Sequence, residues 1–477
     1  MRFGELIKNT SILGSNTEIT SICYDSRKVT KGSLFVAIRG YQTDGHQYIQ
    51  TAVQNGAAAI VAEENVECGV PLAVFPDTRK ALAEIAARFY GNPADKLTLI
   101  GITGTNGKTT TTYLIKQVLD LLGIKTGLIG TNQNIIGDKV LPAKRTTPES
   151  LEMHEMFAEM VAAGVTHVVM EVSSHSLVLS RTYGIVFKEA VFTNLTRDHL
   201  DFHKTMDAYM ESKAMLFTSA MHGAINADDA YCEGIEKAAT CPVLRYGVKA
   251  DCDLKAQNIR LSERGVIFTV NYKGKDYELR LGIPGMFSVY NALAATAACL
   301  GMGIPMEDIV KGLLLAKGVK GRAEVVQIIA PYTVIIDYAH TPDGLENIIG
   351  TIRGFVKGRI ITLFGCGGDR DKTKRPIMGR VACELSDYCI VTSDNPRSED
   401  PDSIIQDILE GMSAYKDRYT VVTNRREAIQ KALSIAKEGD VVILSGKGHE
   451  TYQILKDKTI DFDERTIVKE ILKNAGA

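Results

Sequence analysis

The chain has no tryptophan, and only 7% of its 477 residues are aromatic. That scarcity argues against a stacking platform for single-stranded nucleic acid, which needs aromatic faces at successive bases. An excess of one charge is also missing. With 55 Lys and Arg against 57 Asp and Glu, the formal net charge is -2, so no global field draws in nucleic acid or an anionic membrane. The nine cysteines include no Cys-x-x-Cys pair, and an odd, scattered set fits neither a disulfide framework nor a structural zinc site. They read as small buried hydrophobes; Cys366, inside a glycine-rich stretch, is the one to watch. No apolar run is long enough to span a bilayer. The opening Met1-Arg2-Phe3-Gly4-Glu5-Leu6 meets an acid and then polar chain, unlike a signal peptide. The expectation is a cytoplasmic globular protein, and its length implies about three domains.

What is present begins with Gly101-Ile102-Thr103-Gly104-Thr105-Asn106-Gly107-Lys108-Thr109-Thr110. The apolar Leu97-Thr98-Leu99-Ile100 precedes it, and a helical pattern (Tyr113, Leu114, Val118, Leu119, Leu122) follows. Glycines there let backbone N–H groups turn toward a polyphosphate, and the helix N-terminus adds positive potential. Lys108 supplies a point charge for the distal phosphates, and the Thr109 hydroxyl suits Mg²⁺. The strict G-x-x-x-x-G-K-[ST] spacing fails, because Ile102 stands at its first glycine. A plain Gly/Thr-rich turn is the competing reading. The order of strand, loop, Lys-Thr and helix favours nucleotide phosphate binding.

Residues up to Pro93 mix short strands (33–38, 58–62, 72–75) with helical stretches, and a helix over 78–90 stops at Gly91-Asn92-Pro93. A second unit then opens with the phosphate loop. Residues 242–283 alternate as strands with turns at Glu263-Arg264-Gly265 and Lys273-Gly274-Lys275, an antiparallel edge for that middle domain. Helices over 291–301 and 306–315 follow, and a boundary is placed near Arg322. Beyond it, β-rich runs at 333–337, 359–364, 388–392 and 441–445 alternate with helical stretches. This spacing marks a doubly wound, mostly parallel sheet. The fold class is α/β in three domains, 1–93, 94–322 and 323–477, the central one of phosphate-loop ATPase type.

In the middle domain, Met170-Glu171-Val172-Ser173-Ser174-His175 ends a buried strand on a carboxylate. Asn194-Leu195-Thr196-Arg197-Asp198-His199-Leu200-Asp201 adds imidazole and acids. Mg²⁺ takes hard oxygen ligands, so Glu171 is a good candidate ligand and His199 a less usual one, hinting at a second ion. A buried hydrogen-bond network explains either residue equally well. In the last domain Asp337-Tyr338-Ala339-His340-Thr341-Pro342 follows a strand, so Asp337 could bond a ribose hydroxyl. Gly365-Cys366-Gly367-Gly368-Asp369-Arg370, Asp394-Asn395-Pro396-Arg397 and Gly446-Lys447-Gly448-His449-Glu450 all end strands. Two arginines and two acids gathered there fit a zwitterionic ligand; a solvated ion-pair cluster is the alternative.

Taken in order, these motifs resemble the Mur ligases, and the resemblance covers essentially the whole chain. It rests on the run from Thr103 to Thr110, on Glu171-Val172-Ser173-Ser174-His175 and on Tyr209-Met210-Glu211-Ser212-Lys213-Ala214. It continues through Asn291, Gly321-Arg322, Asp337 to Pro342, and Asp394-Asn395-Pro396-Arg397. Within that family the match is to the member that adds the third residue of the peptidoglycan stem peptide.

The resemblance implies a cytoplasmic, monomeric, ATP-dependent amide ligase of cell-wall precursor synthesis. Its substrates would be UDP-N-acetylmuramoyl-L-alanyl-D-glutamate, meso-diaminopimelate and ATP, with an acyl phosphate between them. Asp25-Ser26-Arg27 and Tyr41-Gln42-Thr43-Asp44-Gly45 would form the pocket for the uridine-diphosphate end, Ser26 touching it directly. Thr146, Thr147, Ser173 and Arg181 would hold the sugar-peptide end; the Gln common two residues before that Arg is Leu179 here. ATP would meet Gly104, Thr105, Asn106, Gly107, Lys108, Thr109, Thr110, Asn291, Arg322 and Asp337, with Lys108 and Arg322 stabilising the moving charge. Diaminopimelate would meet Arg370, Asp394, Asn395, Pro396, Arg397, Gly446 and Glu450. Metal ligands would be Thr109, Glu171, His199 and Lys213, the last as a carbamate formed with CO₂. An unmodified surface lysine on the helix near residues 208–217 is the other reading of Lys213. Closure of the domains around the substrates is also implied.

Two rivals stand beside this reading. Folylpolyglutamate synthetases share the ATP machinery, but the uridine-type first domain and Asp394-Asn395-Pro396-Arg397 speak against one. A nucleotide-binding switch would leave the charged rim of the last domain unexplained, and the guanine-specific Asn-Lys-x-Asp motif is absent.

Overall fold

Four short strands, Ser21–Cys23, Ser33–Val36, Ala57–Ala62 and Leu72–Val74, pair in parallel and in sequence order near the start of the chain. The structure is a computed structural model and describes residues 1–9, 11–40, 43–262 and 264–474, without the Asp201 side chain. Tyr41, Gln42 and Glu263, named above, lie outside the described residues, as does the Asp201 side chain. The Ser33–Val36 strand is buried throughout, as expected where both faces of a parallel sheet are covered. Phe3, Leu6, Leu34, Leu82 and Ile85 pack in one cluster, and Phe35, Ile49, Ala52 and Ile60 in another. Helix Thr78–Phe89 starts where Asp77 accepts the N–H of Arg79 (3.0 Å) and Lys80 (3.1 Å), satisfying two otherwise orphaned donors. It stops as anticipated, with Gly91 and Asn92 at positive φ (+74° and +50°).

The Thr98–Thr103 strand is the axis of the next sheet. It pairs in parallel with His167–Glu171 on one side and Phe187–Phe192 on the other. Thr126–Ile129 continues the first side; Ala220–Asn226 and Val243–Gly247 continue the second. Register sets Ile102 beside Glu171 and Thr103 beside Phe192. The segments leaving these strands therefore emerge on the edge where the phosphate loop begins, the carboxyl edge used by open parallel sheets. A hairpin, Gln133–Ile136 with Lys139–Pro142, extends this sheet antiparallel. The sequence reading missed it, because its outer strand is fully exposed and carries no core pattern.

The chain divides into two compact units, residues 1–253 with 294–305, and residues 254–293 with 306–477. In the second unit Leu254–Ser262, Gly265–Tyr272 and Lys275–Leu281 form an antiparallel meander. The helix expected to start at Asn291 starts at Met286 instead. Gly285 (φ +97°) turns the chain straight into it, and Ser288 Oγ donates to the Pro284 carbonyl at 2.9 Å.

The last sheet runs Thr333–Asp337, Val441–Ser445, Ile360–Phe364, Tyr388–Val391 and Tyr419–Val421, all parallel in that order. Glu324–Val325 adds an antiparallel edge. Four of the five parallel strands match the β-rich runs of the sequence; Tyr419–Val421, three residues long, has too short a pattern to be seen. Ile361, Leu363, Ile390, Val442 and Leu444 fill the core. Insertion of the final long strand between the first two makes a topological switch, where loops part and ligands of such sheets bind. Among the described residues, no helix is long and apolar enough to cross a membrane.

Candidate active site

Gly104 has φ +146°, and a Cβ there would stand 1.9 Å from Thr193 Oγ1, so the loop admits no side chain. Gly107, at φ +85°, caps helix Lys108–Leu121. The segment after the Phe187–Phe192 strand clamps the loop from the side. Thr193 Oγ1 donates to the Asn106 carbonyl at 2.6 Å, Asn194 Oδ1 accepts the Asn106 N–H at 2.9 Å, and the Thr105 N–H meets the Asn194 carbonyl at 2.8 Å. Lys108 Nζ turns back onto the carbonyls of Gly104 (2.9 Å) and Thr105 (2.8 Å). Thr109 and Thr110 are buried at the helix start.

Lys213, on helix Met206–Ala214, is 1% exposed, and its Nζ donates to the Gly104 carbonyl at 2.8 Å. Burial first, and the Lys108 charge second, hold its amine well below the ordinary lysine range. Lys213 is therefore no surface lysine; the helix reading was right and the exposed reading wrong. Its signal lay in contacts 109 residues apart, beyond any local pattern.

Glu171 is buried beside the same loop strand. Its two oxygens accept the Thr131 N–H and hydroxyl, each at 2.9 Å. Each carboxylate oxygen has a further lone pair, the kind of hard oxygen donor that Mg²⁺ takes. His199 differs. It takes a left-handed φ of +53°, lies 3.4 Å from the exposed Asp198 carboxylate, and stacks edge-on with His175 at 4.9 Å. Among the described residues, no three His, Cys, Asp or Glu side chains are gathered for a metal.

The four residues expected at the sugar-peptide end are brought together. Thr147 Oγ1 donates to the Glu171 carbonyl (2.9 Å) and accepts the Ser173 N–H (3.1 Å), and Thr146 meets Thr131 at 3.1 Å. Arg181 donates to the Thr147 carbonyl at 2.9 Å and pairs with Glu149 at 2.9 Å. Arg145 (3.1 Å) and Arg79 (3.7 Å) share that Glu149 carboxylate, so three guanidiniums surround one acid. The local surplus of positive charge suits an anionic ligand; Arg79 and Arg145 had no signal in the sequence. Ser26 is buried at the start of a short turn, and its carbonyl accepts Asn55 Nδ2 at 2.9 Å. Asp44 is committed to His46, accepting its N–H (3.0 Å) and its Nδ1 (2.7 Å).

In the second unit, Arg322 stacks over Tyr338 at 5.1 Å. Asp337 ends its strand, and its oxygens accept the N–H groups of Ala323 (2.7 Å) and Ala339 (2.8 Å). Burial raises its carboxyl despite the nearby Arg322. Asn291 is buried within helix Met286–Gly301.

Arg397 has φ +52°, and its Nη1 donates to the Gly368 carbonyl at 2.9 Å. The Gly368 N–H returns a bond to the Asn395 carbonyl at 2.9 Å, stitching the two loops together. Asp369 accepts Ser398 Oγ at 2.6 Å, and its N–H reaches Glu399 at 2.6 Å. Arg375, wholly buried, anchors Glu399 and Asp407 at 2.8 Å each. Arg375 pulls the Glu399 carboxyl down to about 2. Arg370 bonds the Asp369 carbonyl at 2.9 Å, so both expected arginines hang on one loop pair. Asn395 Nδ2 donates to Glu450 at 2.9 Å, and Gly446 passes so close that a Cβ would sit 2.9 Å from Asp394. The sequence reading missed Arg375 and Glu399, whose charges look like ordinary surface pairs until folded. Cys366, singled out above, is buried against Met378 Sδ (3.6 Å), and burial pushes its thiol up to about 12. A cavity of about 920 Å³ touches this loop at Ser393 and Pro396 but at none of its charged residues.

Three family models match the chain, the Mur ligase catalytic domain over residues 18–90, the middle domain over 102–299 and the glutamate ligase domain over 321–448. The chain belongs to the Mur ligase family. This Mur ligase is 52% identical to the UDP-N-acetylmuramoyl-L-alanyl-D-glutamate–2,6-diaminopimelate ligase of Clostridium tetani, covering 99% of both chains. It is 53% identical to the enzyme of the same name from Clostridium botulinum, over 96% of this chain and 95% of that one. A solved structure with that name is similar with a TM-score of 0.76 at 32% identity, covering 100% of this Mur ligase and 99% of that chain.

Proposed function

We propose that the chain joins meso-2,6-diaminopimelate to the γ-carboxylate of the D-glutamate residue in UDP-N-acetylmuramoyl-L-alanyl-D-glutamate, with ATP cleaved to ADP and phosphate. The observation that carries this reading is the loop pair that holds Arg370 and Arg397 beside the Asp394, Asn395 and Glu450 cluster. Guanidiniums at one end and carboxylates at the other match an amino acid bearing an extra carboxylate. Full-length identity of about one half to ligases of that name supports it.

A free carboxylate resists attack by an amine, so it must be activated. A carboxylate oxygen bonds to the γ-phosphorus of ATP while the bridging bond to ADP breaks. The amine nitrogen then attacks the acyl carbon and loses a proton, and phosphate departs with the C–O electron pair. Lys108 and the loop N–H groups would offset charge on the transferring phosphoryl group, the dominant contribution in such chemistry. Arg322 would assist, with Asp337 and Asn291 at the nucleoside. Thr109 and Glu171 would hold Mg²⁺, which supplies charge neutralisation on the phosphates when bound. Lys213 would join them as a carbamate, and His199 would act at the edge of the same chemistry. Ser26, Thr146, Thr147, Ser173 and Arg181 would hold the UDP substrate.

The test is phosphate release from ATP over a panel of amino acids, with and without the UDP-muramoyl dipeptide. Release should need both the dipeptide and diaminopimelate. Release without either would point to a nucleotide switch, and preference for another amino acid would overturn the substrate assignment.

A further inference from the structure

Lys447 has no exposed surface. Its ammonium nonetheless carries full acceptor coverage, from Asn395 Oδ1 at 3.0 Å, Glu450 Oε2 at 3.2 Å and Asp394 Oδ1 at 3.4 Å. A lysine ammonium has three donors, so each is occupied. The lysine follows Gly446, whose φ of +113° lets the chain leave the Val441–Ser445 strand directly against Asp394. That turn delivers the ammonium beneath two carboxylates that would otherwise repel each other in a buried site.

The consequences for the acceptor groups are specific. Asn395 Oδ1 accepts both Lys447 and the Ile454 N–H (2.9 Å), which forces its Nδ2 toward Glu450 Oε2 at 2.9 Å. Glu450 therefore spends Oε2 on Lys447 and Asn395, and among the described residues no hydrogen bond takes up Oε1. One ammonium against two carboxylates leaves a single net negative charge on the cluster. A face of that charge accepts one more ammonium and disfavours a second.

We infer that Lys447 is a positioning residue for the amino-acid substrate, locking Asn395 and the carboxylates of Asp394 and Glu450 in place so that the free carboxylate oxygen of Glu450 takes a single substrate ammonium. This rests on the proposed function, which makes an amino acid the ligand of that face. Lys447 touches no substrate itself; it fixes which carboxylate oxygen is left to do so.

The experiment measures KM for each of the three substrates in the unaltered protein, in Lys447→Met and in Lys447→Gln, with thermal midpoints alongside. Turnover of diaminopimelate by the unaltered protein tests the functional reading separately; if another amino acid is preferred, that reading fails and the comparison is made with the preferred one. KM for the amino acid should rise roughly tenfold or more in Lys447→Met, as for loss of a charged hydrogen bond. KM for ATP and for the UDP substrate should stay within about twofold. Lys447→Gln, which keeps a donor for the carboxylates, should fall between. An unchanged amino-acid KM would overturn the proposal. So would a parallel rise in all three KM values, or failure of both variants to fold, since either makes Lys447 a residue of the fold alone.

Discussion

Lys108 and Lys213 place their ammonium nitrogens on one acceptor, the carbonyl oxygen of Gly104, at 2.9 and 2.8 Å. Two cations sharing one neutral acceptor repel, and burial first, with the Lys108 charge second, holds the Lys213 amine well below the ordinary lysine range. Lys108, partly buried, keeps its place at the mouth of the loop.

Lys108→Ala should lower turnover by about 10²–10³-fold, the usual loss when one charge-stabilising contact is removed from a transferring group. Its thermal midpoint should move little, because Lys108 is only partly buried at the start of its helix. Steady-state rates with circular dichroism check both halves. A folded variant with near-normal turnover would take the loop out of the mechanism.

Lys213→Ala should be nearly inactive, and added short-chain carboxylates should restore part of the rate if a carbamate is the working form. The neutral amine is the nucleophilic form that bonds CO₂, and burial shifts Lys213 toward it. Lys213→Arg should fail as well, since a guanidinium stays charged. Activity in the alanine variant without any added carboxylate would end this idea.

Arg397→Ala should cost diaminopimelate turnover far more than ATP affinity, and the unaltered protein should prefer diaminopimelate to L-lysine. Sites built to pair a charged group can reject the analogue lacking it by roughly 10⁴-fold. The structure holds Arg397 ready through the Gly368 carbonyl, so little ordering remains to be done on binding. Comparable kcat/KM for lysine and diaminopimelate would refute the assignment.

Glu189, in the Phe187–Phe192 strand, is 1% exposed, and His222 Nδ1 lies 3.5 Å from its Oε1. Burial pushes its carboxyl up to about 8 from 4.5. The folded state thus holds a proton that the unfolded chain releases first, so stability falls as pH rises from 4.5 to about 8 and levels off above. Glu189→Gln mimics the protonated form. It should match the parent near about pH 5 and exceed it in urea midpoint near about pH 9. An equal difference at both pH values would show that burial does not shift this group.

Much of the site was legible in local sequence. The strand, glycine turn, Lys-Thr and helix around Gly104 appear in that order, and each depends on backbone preferences within a few residues. Asp77 and Gly91 bracket a helix for the same reason. The hairpin at 133–142 and the strand Tyr419–Val421 escaped notice because their patterns are short or exposed, and pairing with neighbours creates them. Arg375 looked like surface charge because its burial comes only with the folding of the helix Lys374–Leu385 that carries it, and Glu399 is tied to it by an ion pair at 2.8 Å.

The amino-acid order alone displayed the α/β class, the strand, glycine turn and helix of the phosphate loop, and the alternation behind the final sheet. Folding settled matters that depend on distance. It buried Lys213 on a carbonyl 109 residues away, set Glu171 beside Ile102 through strand register, and closed Lys447 under Asp394, 53 residues apart. Propensity and periodicity act over a turn or a pleat, and a sequence displays them directly. Whether a charge is solvated, paired or stripped of water depends on which strands become neighbours, and that order exists only in the folded sheet.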